Sequence, residues 1–490
     1  MSLLTIPRYP DWIGCVDFGT ALSKVALTKR IPRSQLTEKD ILALAIGVRE
    51  GVAAPNPFLL PSVVYVTDQG LLFGQEAQAA AVRNERLRRQ AFASPKQYLS
   101  THEPEQLDDP LERDIDPTAT YTPRMLLALF LAHLLVQAGR AAAVAGAPWP
   151  VPLRIARPAW DARRAIAGEK NLRSLVLQAF AIADILGDRL SAIKGVTHEE
   201  VRPTLAKVMN NEHFHNPAAY ARVFELSTRG SASVLEATAV AAGSIRDTGR
   251  RVIAVADIGG GTSDFGAFMT GLPGRDALAE IRGSSRILRE AGDHLDMLLT
   301  RYILNQAGID RDDPAGRGAA NRLRARQRDN KEVLFAEGQV TVEIGDDFQT
   351  VTQAAFLRDP LTEAFTQRLR TTFAETLTFA VECAHQYSLN GRRTPVEILL
   401  TGGGNSLPMV RDLATNPPVR WHYLAASPEL PNGPVDNDFL AVRRQLAVAI
   451  GGAVRDLPRE TAGIRLWPTG AQWQPKAAEV LDPPPRTPRN

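Results

Sequence analysis

The sequence predicts an α/β protein, because strand-like apolar runs alternate with helical segments along its 490 residues. Two of these runs end in an aspartate that is followed by a glycine-rich turn and a second apolar run, at residues 13–27 and 252–269. Hydrophobic residues make up 44% of the chain, enough to fill sizeable cores, and the length predicts two to four domains. We therefore expect two α/β units, each of which contains one of these hairpins.

The stretch 252–269, VIAVADIGGGTSDFGAFM, predicts two strands joined by a glycine turn. Asp257 and Asp264 flank three glycines and Thr262. Consecutive glycines let backbone N–H groups converge on an anion, and neighbouring carboxylates can hold a hydrated Mg²⁺, which prefers oxygen ligands. The alternative is purely structural, since a single glycine hairpin is often only a tight turn.

Two further segments favour a nucleotide site. Residues 13–27, IGCVDFGTALSKVAL, repeat the pattern with Asp17, Gly19 and Thr20. Residues 397–413 predict a strand, a turn of three glycines and a helix, and a glycine turn that leads into a helix suits an anion or the edge of a nucleoside. Three such turns in one chain favour a shared ligand over three unrelated turns.

The other elements follow from periodicity and capping residues. Thr122 and Pro123 suit the N-cap and first turn of a helix, and apolar residues at four-residue spacing mark a long amphipathic helix at 360–388. The remaining expectations are two strands and a turn at 58–74, a helix at 122–142, a strand at Leu153–Ala156, helices at 161–180 and 232–246, and a half-buried strand or hairpin at 339–352.

Composition argues against several classes of function. The net charge is only +3, and the arginine-rich runs at 83–89 and 322–328 are typical of solvated helix faces, so no nucleic acid is expected. Cys15 and Cys383 lie in apolar surroundings, which indicates buried thiols rather than a disulfide or a zinc site. The chain contains no Gly-Lys dipeptide, which excludes a P-loop.

The sequence predicts a cytoplasmic protein that does not enter a membrane. The N-terminal residues MSLLTIPRYPDW lack a basic segment followed by an apolar one, so no signal peptide is expected. The most apolar helical stretch, Met125–Val136, covers only about a dozen residues, fewer than a membrane span needs. We expect a buried helix there, with His133 as a core residue.

The three turns, in this order, resemble the phosphate-1, phosphate-2 and adenosine motifs of the actin and 70-kDa heat-shock chaperone superfamily. Matches to the chaperone branch are TPRMLLALFL at 122–131, RPAW at 157–160, VLEATAVAAGSI at 234–245 and AGDHLDMLL at 291–299. The resemblance covers about residues 12–455. It implies a two-lobed actin-like ATPase fold, in which each lobe is built on a ribonuclease-H-like mixed sheet with helices and ATP with Mg²⁺ lies between the lobes.

The resemblance also implies a division of the chain. Lobe I would span 1–248, with its core at 1–40 and 120–248, a small subdomain at about 41–119 and an insertion at about 175–230. Lobe II would span 249–455, with its core at 249–288 and 360–455 and a small subdomain at about 289–359. A C-terminal strap and proline-rich tail, with Trp467, Trp473 and Pro483–Pro485, would occupy 456–490.

Site roles carry over by position from the resemblance. Asp17 and Asp257 would orient Mg²⁺ through its waters, and Glu236 would polarise the attacking water. Thr262 would face the γ-phosphate, beside Asp264, and Lys331 matches a lysine that contacts ribose. The residues expected to contact the phosphates are Gly19, Thr20, Gly259, Gly260, Gly261 and Thr262. The residues expected to border the adenosine are Gly402, Gly403 and Gly404.

The chain departs from the chaperone pattern at the lysine that contacts phosphate. The family's catalytic lysine position is occupied by Gln78, a neutral amide. Lys24 follows Asp17 by seven residues, where actin and the plasmid-segregation actins carry a phosphate lysine. We therefore expect Lys24 to reach the β- and γ-phosphates; the alternative is a surface lysine at a strand end.

Two further departures concern the base and the insertion. Glu332 and Ser406 stand where the chaperones place two arginines on the adenine, and Arg328 replaces a glutamate, so the base preference is open. The insertion contains His213 and His215, but no paired acid–histidine spacing supports a metal site. It is better interpreted as a surface for a protein partner.

The leading functional hypothesis is an ATP-binding, Mg²⁺-dependent and slow ATP hydrolase of the heat-shock chaperone type. It would act as a conformational switch with a separate client or a co-chaperone-like partner. Lys24 motivates a second hypothesis, a polymerising actin-like filament. Gln78 motivates a third, a nucleotide sensor or scaffold that does not hydrolyse ATP.

Overall fold

The structure is a computed structural model that describes residues 9–48, 56–84, 89–157, 160, 164–211, 214, 223–225, 232–245, 249–271, 278–310, 314–344, 347–388, 393–428 and 437–460. The strands are β1 (Trp12–Asp17), β2 (Leu22–Lys29), β3 (Ile41–Ala43), β4 (Leu60–Pro61), β5 (Val63–Val66), β6 (Gly70–Phe73), β7 (Phe92–Ala93), β8 (Leu153–Arg157), β9 (Val196–Thr197), β10 (Ser233–Leu235), β11 (Val252–Ile258), β12 (Ser263–Met269), β13 (Ala279–Glu280), β14 (Arg286–Leu288), β15 (Gln339–Ile344), β16 (Asp347–Thr352), β17 (Val396–Thr401), β18 (Tyr423–Ala426) and β19 (Arg459–Glu460). The α-helices are α1 (Gly74–Arg83), α2 (Pro95–Thr101), α3 (Pro123–Val144), α4 (Ala165–Leu186), α5 (His198–Val208), α6 (Glu236–Ser244), α7 (Gly292–Gln306), α8 (Pro314–Ala325), α9 (Gln327–Glu337), α10 (Gln353–Leu357), α11 (Pro360–Tyr387), α12 (Pro408–Thr415) and α13 (Asn437–Ala453).

Two large mixed sheets share the same order of strands. The first sheet runs β10-β8-β1-β2-β3, and the second runs β18-β17-β11-β12-β13 and continues to β19. In each sheet an antiparallel hairpin lies beside two parallel strands that come later in the chain. We call residues 9–245 the first half of the chain and residues 249–460 the second half. A mixed α/β architecture with an internally repeated sheet is therefore present.

The two hairpins also share their register. Asp17, the last residue of β1, pairs with Lys24 on β2. Asp257, next to the end of β11, pairs with Asp264 on β12. The Asp17 and Asp257 positions therefore correspond, and the aspartates lie at the same end of their sheets, beside the glycine turns.

Two helices join the sheets through a shared core. This core contains Cys15 and Ala156 from the first sheet, Val255 and Leu399 from the second, and alanines of α6 and α13 between them. Helix α13, from the second half, packs on β1 and β2, while α6, from the first half, packs on β11 and β12. Each half therefore supplies a helix that covers the sheet of the other.

The helices α6 and α13 cross at two glycines. A Cβ atom at Gly451 would lie 1.7 Å from the carbonyl oxygen of Ala239, and one at Gly243 would lie 2.7 Å from the Cα of Gly451. The two backbones are thus in direct contact, and any larger residue at this crossing requires the helices to separate.

Most predicted elements are confirmed. The hairpins at 13–27, 252–269 and 339–352 form, as do the strands within 58–74 and the strand at Leu153–Ala156, which extends to Arg157. Thr122 caps α3 by accepting a hydrogen bond from the N–H of Met125, and the long amphipathic helix forms as Pro360–Tyr387. Cys15 and Cys383 are free and buried, and burial raises the pKa of both thiols.

Two boundaries differ from the prediction. The segment 232–246 is not one helix: Ser233–Leu235 form an edge strand of the first sheet, and the helix begins at Glu236. The helix expected at 161–180 runs from Ala165 to Leu186, so it continues into the predicted insertion. His213, His215, Trp467, Trp473 and Pro483–Pro485 lie outside the described residues.

Helix α3 is longer than its apolar pattern indicated. It spans 22 residues, and by length and composition it is the one described helix that is able to cross a membrane. The expectation that it is too short for a span is therefore wrong. A buried core helix passes the same test, however, and 67% of its most apolar window is buried against the rest of the first half. His133 is fully buried, and its Nδ1 lies 2.8 Å from the carbonyl oxygen of Leu190.

Candidate functional site

The ends of the two hairpins line one cavity between the sheets. Its empty volume is about 520 Å³, including the open mouth. The predicted site residues that line it are Asp17, Gly19, Thr20, Lys24, Glu236, Asp257, Gly259, Gly260, Thr262, Gly402 and Gly403. Residues separated by more than two hundred positions in the sequence therefore meet around a single space.

The carboxylate of the first hairpin has its own cation. Nζ of Lys24 lies 2.7 Å from Oδ2 of Asp17, and both side chains are largely buried. The pairing follows from the sheet, because these two residues face each other across β1 and β2. Lys24 is therefore a cavity residue rather than a surface lysine at a strand end.

The carboxylates of the second hairpin face each other. Burial and the nearby charge of Glu236 raise the pKa of Asp257 to about 7, against a hydrogen bond of 2.7 Å from the hydroxyl of Thr401. Burial and Glu236 also hold the pKa of Asp264 well above its usual range. Within the described part of the chain, Oδ2 of Asp264 is buried and has no hydrogen-bond partner. The second hairpin therefore carries two buried carboxyl groups, neither of which has a direct salt bridge among the described residues.

Glu236 is paired with a lysine that the sequence did not reveal. Glu236 opens α6, directly after β10, and its carboxylate accepts a hydrogen bond from Nζ of Lys96. Burial lowers the pKa of Lys96, but the charges of Glu236 and Asp17 outweigh it and hold that pKa above its usual value. Lys96 lies on α2, in a segment that carries no glycine turn and no recognisable motif.

Four predicted site residues lie behind the cavity wall instead of on it: Gly261, Asp264, Gly404 and Lys331. A Cβ atom at Gly261 would lie 2.8 Å from the hydroxyl oxygen of Thr20, so this turn packs against the first half. Lys331 pairs with Asp296 at 2.8 Å and donates a hydrogen bond of 2.9 Å to the carbonyl of Gly292. It thus supports the loop beside Gly260 through α7.

The third glycine turn borders the open side of the cavity. Gly402 has a φ of +81°, and a Cβ atom there would lie 2.2 Å from the carbonyl oxygen of Ile258, so this position requires glycine. A Cβ atom at Gly403 would meet no atom within 4 Å, which leaves that face open. Gln445 and Val448 of α13 complete this side, although no motif marks them.

The positions tied to base recognition lie away from this wall. Glu332 and Ser406 are exposed, and neither lines the cavity. Arg328 donates a hydrogen bond of 3.4 Å to the carbonyl of Ala21 and lies 4.0 Å from Asp293, so it links the halves near the glycine turns. Gln78 lies on α1, half-buried, and does not line the cavity.

The donor set fits a hydrated divalent cation better than a directly ligated one. Among the described residues, no group of three or more histidine, cysteine, aspartate or glutamate side chains is arranged to hold a metal. Burial raises the pKa of Asp257, and Oδ2 of Asp264 has no hydrogen-bond partner among the described residues, so a nearby cation would favour the ionised form of both groups. A Mg²⁺ ion that keeps most of its waters needs only one or two protein carboxylates.

Comparison with known protein families finds no match to this chain, and comparison with curated proteins finds no relative. The geometry of the cavity and the sequence resemblance therefore carry the functional argument.

Proposed function

We propose that the chain binds ATP with Mg²⁺ in the cavity and hydrolyses it slowly, as a conformational switch of the heat-shock chaperone type. One observation carries the proposal: aspartate–glycine hairpins at corresponding positions of two repeated sheets meet at one cavity. A pair of unrelated tight turns gives no reason for this convergence.

The repeated sheet order supports a two-lobed actin-like fold, with each sheet as the ribonuclease-H-like centre of one lobe. In this proposal lobe I spans 1–248 and lobe II spans 249–455. The strands β5, β6 and β7 belong to the small subdomain of lobe I, where β9 of the insertion pairs with β6, and β15-β16 belongs to the small subdomain of lobe II.

The proposed reaction is hydrolysis of the terminal phosphoanhydride. Water adds to the γ-phosphorus as the bond to the β-phosphate oxygen breaks, which yields ADP, inorganic phosphate and a proton. In the turn Gly259–Thr262, the N–H of Gly259 bonds to the carbonyl of Thr262, so Gly260 in the cavity wall supplies the backbone N–H for the phosphates, and Glu236 orients the attacking water. Asp17 and Asp257 would hold a hydrated Mg²⁺, which would supply neutralisation of charge on the phosphates.

Lys96 weakens the case for a sensor that does not hydrolyse ATP. That alternative rests on the neutral Gln78, but a buried ammonium group reaches Glu236 from another segment. Lys24 in the cavity wall favours the second candidate, an actin-like filament.

Sedimentation at micromolar protein, with and without ATP, separates the filament from the chaperone-type switch. A pellet that requires ATP supports a filament, and a monomer or dimer that ATP does not change excludes a filament.

Calorimetry tests the proposed function directly. We expect ATP to bind in the presence of Mg²⁺, with weaker binding in EDTA, and to be hydrolysed slowly at steady state. Gly260→Val serves as the matched variant. A Cβ atom at Gly260 would lie 2.9 Å from the Cβ of Ala21, so the larger side chain should narrow the space beside this turn and weaken the binding of ATP. A parent protein that takes up no purine triphosphate would refute the proposal.

The partner surface is proposed at the insertion, residues 175–230. Its described part contains the end of α4, the strand β9, which pairs with β6, and α5. Proteins that co-purify with the chain in ATP but not in ADP, and are lost when α5 is altered, would identify the client or co-chaperone-like partner.

A further inference from the structure

Lys96 is buried at the meeting point of the carboxylates around the cavity. Its side chain is 4% exposed and that of Glu236 is 9% exposed. A charged lysine is almost never buried unless it is paired, because the loss of hydration must be offset. The surrounding carboxylates therefore offset the cost of burying this ammonium group.

The charges that act on Lys96 come from both hairpins. Glu236 is its direct partner, and the charges of Asp17 on the first hairpin and Asp264 on the second hairpin also act on it. Lys96 itself does not line the cavity, whereas Glu236 does. Its direct partner in the cavity wall is Glu236.

The segment that carries Lys96 is fixed by contacts to both halves. Ser94 adopts a left-handed conformation, with a φ of +54°, and its hydroxyl donates a hydrogen bond of 2.6 Å to Asp293 in the second half. The side-chain nitrogen Nε2 of Gln97 would lie 3.0 Å from a Cβ atom at Gly261 in the second half. A left-handed non-glycine residue persists only where its surroundings hold it, so the position of Lys96 is closely determined.

We propose that Lys96 is the positioning residue for Glu236. In this proposal Lys96 supplies the positive charge beside the hydrolytic step that Gln78, a neutral amide, does not carry. This inference rests on the proposed ATPase function. Lys96 holds the Glu236 carboxylate at the cavity wall and keeps it from turning towards other buried donors. Loss of Lys96 therefore slows turnover through Glu236 and leaves the binding of the nucleotide nearly intact.

A double-mutant cycle of Lys96→Met and Glu236→Gln tests the inference. We expect each single variant to lower kcat about 100-fold, as for the loss of one positioned polar group, and the double variant to be no slower than Glu236→Gln. The Kd for ATP, measured by calorimetry, should stay within about threefold of the parent in all three. Lys170→Met, an exposed lysine on α4 before the insertion, is the control and should behave like the parent.

The folded state needs its own measurement, because Lys96→Met leaves a buried carboxylate without its partner. We expect the melting temperature to fall in Lys96→Met and to recover in the double variant, where both charges are gone. Lys96→Arg keeps the charge and should retain kcat within about tenfold of the parent if it folds. If Lys96→Met does not fold, the Arg variant and the double variant carry the test.

The outcomes separate this inference from the function on which it rests. A parent that binds no ATP overturns both. A parent that hydrolyses ATP, combined with additive losses of kcat in the cycle, overturns the positioning role alone. A Kd for ATP that rises together with the loss of kcat would instead assign Lys96 to direct contact with the phosphates.

Discussion

The two hairpins that line the cavity are alike in backbone and differ in charge. Both present an aspartate at the corresponding end of the corresponding strand. In the first hairpin the facing residue is Lys24, which pairs with Asp17 at 2.7 Å. In the second it is Asp264, so Asp257 faces a second carboxyl group, and burial together with the charge of Glu236 raises the pKa of Asp257.

Under the proposed function, this difference gives the two hairpins different tasks. The ammonium group of Lys24 would face a phosphate beside Asp17. The pKa values of Asp257 and Asp264 are raised, so a bound Mg²⁺ would favour the ionised form of these two carboxyl groups.

The largest expected effect comes from the second hairpin. We expect Asp257→Asn to lower Mg²⁺-dependent hydrolysis about 10³-fold, since it removes the charge that lacks a lysine partner. Asp17→Asn should lose less Mg²⁺ affinity, because Lys24 already neutralises that carboxylate. A Mg²⁺ titration of ATP binding in both variants measures this difference. Equal losses of Mg²⁺ affinity in the two variants would contradict the different tasks assigned to the hairpins.

The lysine of the first hairpin should come next. Lys24→Ala is expected to lower turnover about 10²-fold, because it removes a positive charge from the cavity wall. Lys29→Ala is the control, since Lys29 lies on the same strand but is 42% exposed and pairs with Asp40 outside the cavity. If Lys24→Ala hydrolyses ATP as the parent does, the role assigned to the first hairpin is wrong.

The buried carboxyl group of Asp257 in the second hairpin should also make the stability of the fold depend on pH. The pKa of Asp257 rises from an ordinary 3.8 to about 7 on folding, so the folded protein binds the extra proton between these values. Its contribution to stability is complete below pH 3.8 and is lost as the pH rises through 7.

Urea unfolding from pH 4.5 to 8, without Mg²⁺ or nucleotide, checks this. We expect the free energy of unfolding of the parent to fall more steeply than that of Asp257→Asn, by on the order of 4 kcal/mol over the full window. Added Mg²⁺ should flatten the parent curve. Two parallel curves would show that this carboxyl does not titrate in the folded protein as described.

The smallest expected effect concerns the hydrogen bond between Ser94, which precedes α2, and Asp293, in the first turn of α7. Ser94 bonds to Asp293, whose N–H donates a hydrogen bond of 2.7 Å to the carbonyl of Gly260 in the second turn. Ser94→Ala removes about 1–2 kcal/mol from this link, so ADP should dissociate several-fold faster in a stopped-flow experiment. Ser100→Ala, which affects only a bond within α2, should leave the rate unchanged.

Sequence reasoning located the parts of the site that depend on short-range patterns. The glycine turns, their aspartates and the hairpins are marked by neighbouring residues, and the cavity brings most of them together. Lys24 also has a local signal, because its spacing from Asp17 places the two opposite each other in a hairpin.

Lys96 and the start of α6 show where this reasoning ends. Nothing around Lys96 signals burial, since its environment is built by Glu236 and Asp17, which are distant in the sequence. The alanine-rich run that follows residues 233–235 predicts a helix through them as well, but pairing with β8 makes these three residues a strand. Tertiary contacts decide such short segments, and local propensity does not.

The crossing of α6 and α13 has a mechanical consequence. A Cβ atom at Gly451 would lie 1.7 Å from the carbonyl oxygen of Ala239, so the two helices approach as closely as their backbones allow. Helix α13 also carries Gln445 and Val448 to the cavity wall, little more than one turn before this crossing. In the proposed switch, a single methyl group at Gly451 would push α13 away from α6 and displace that wall with it.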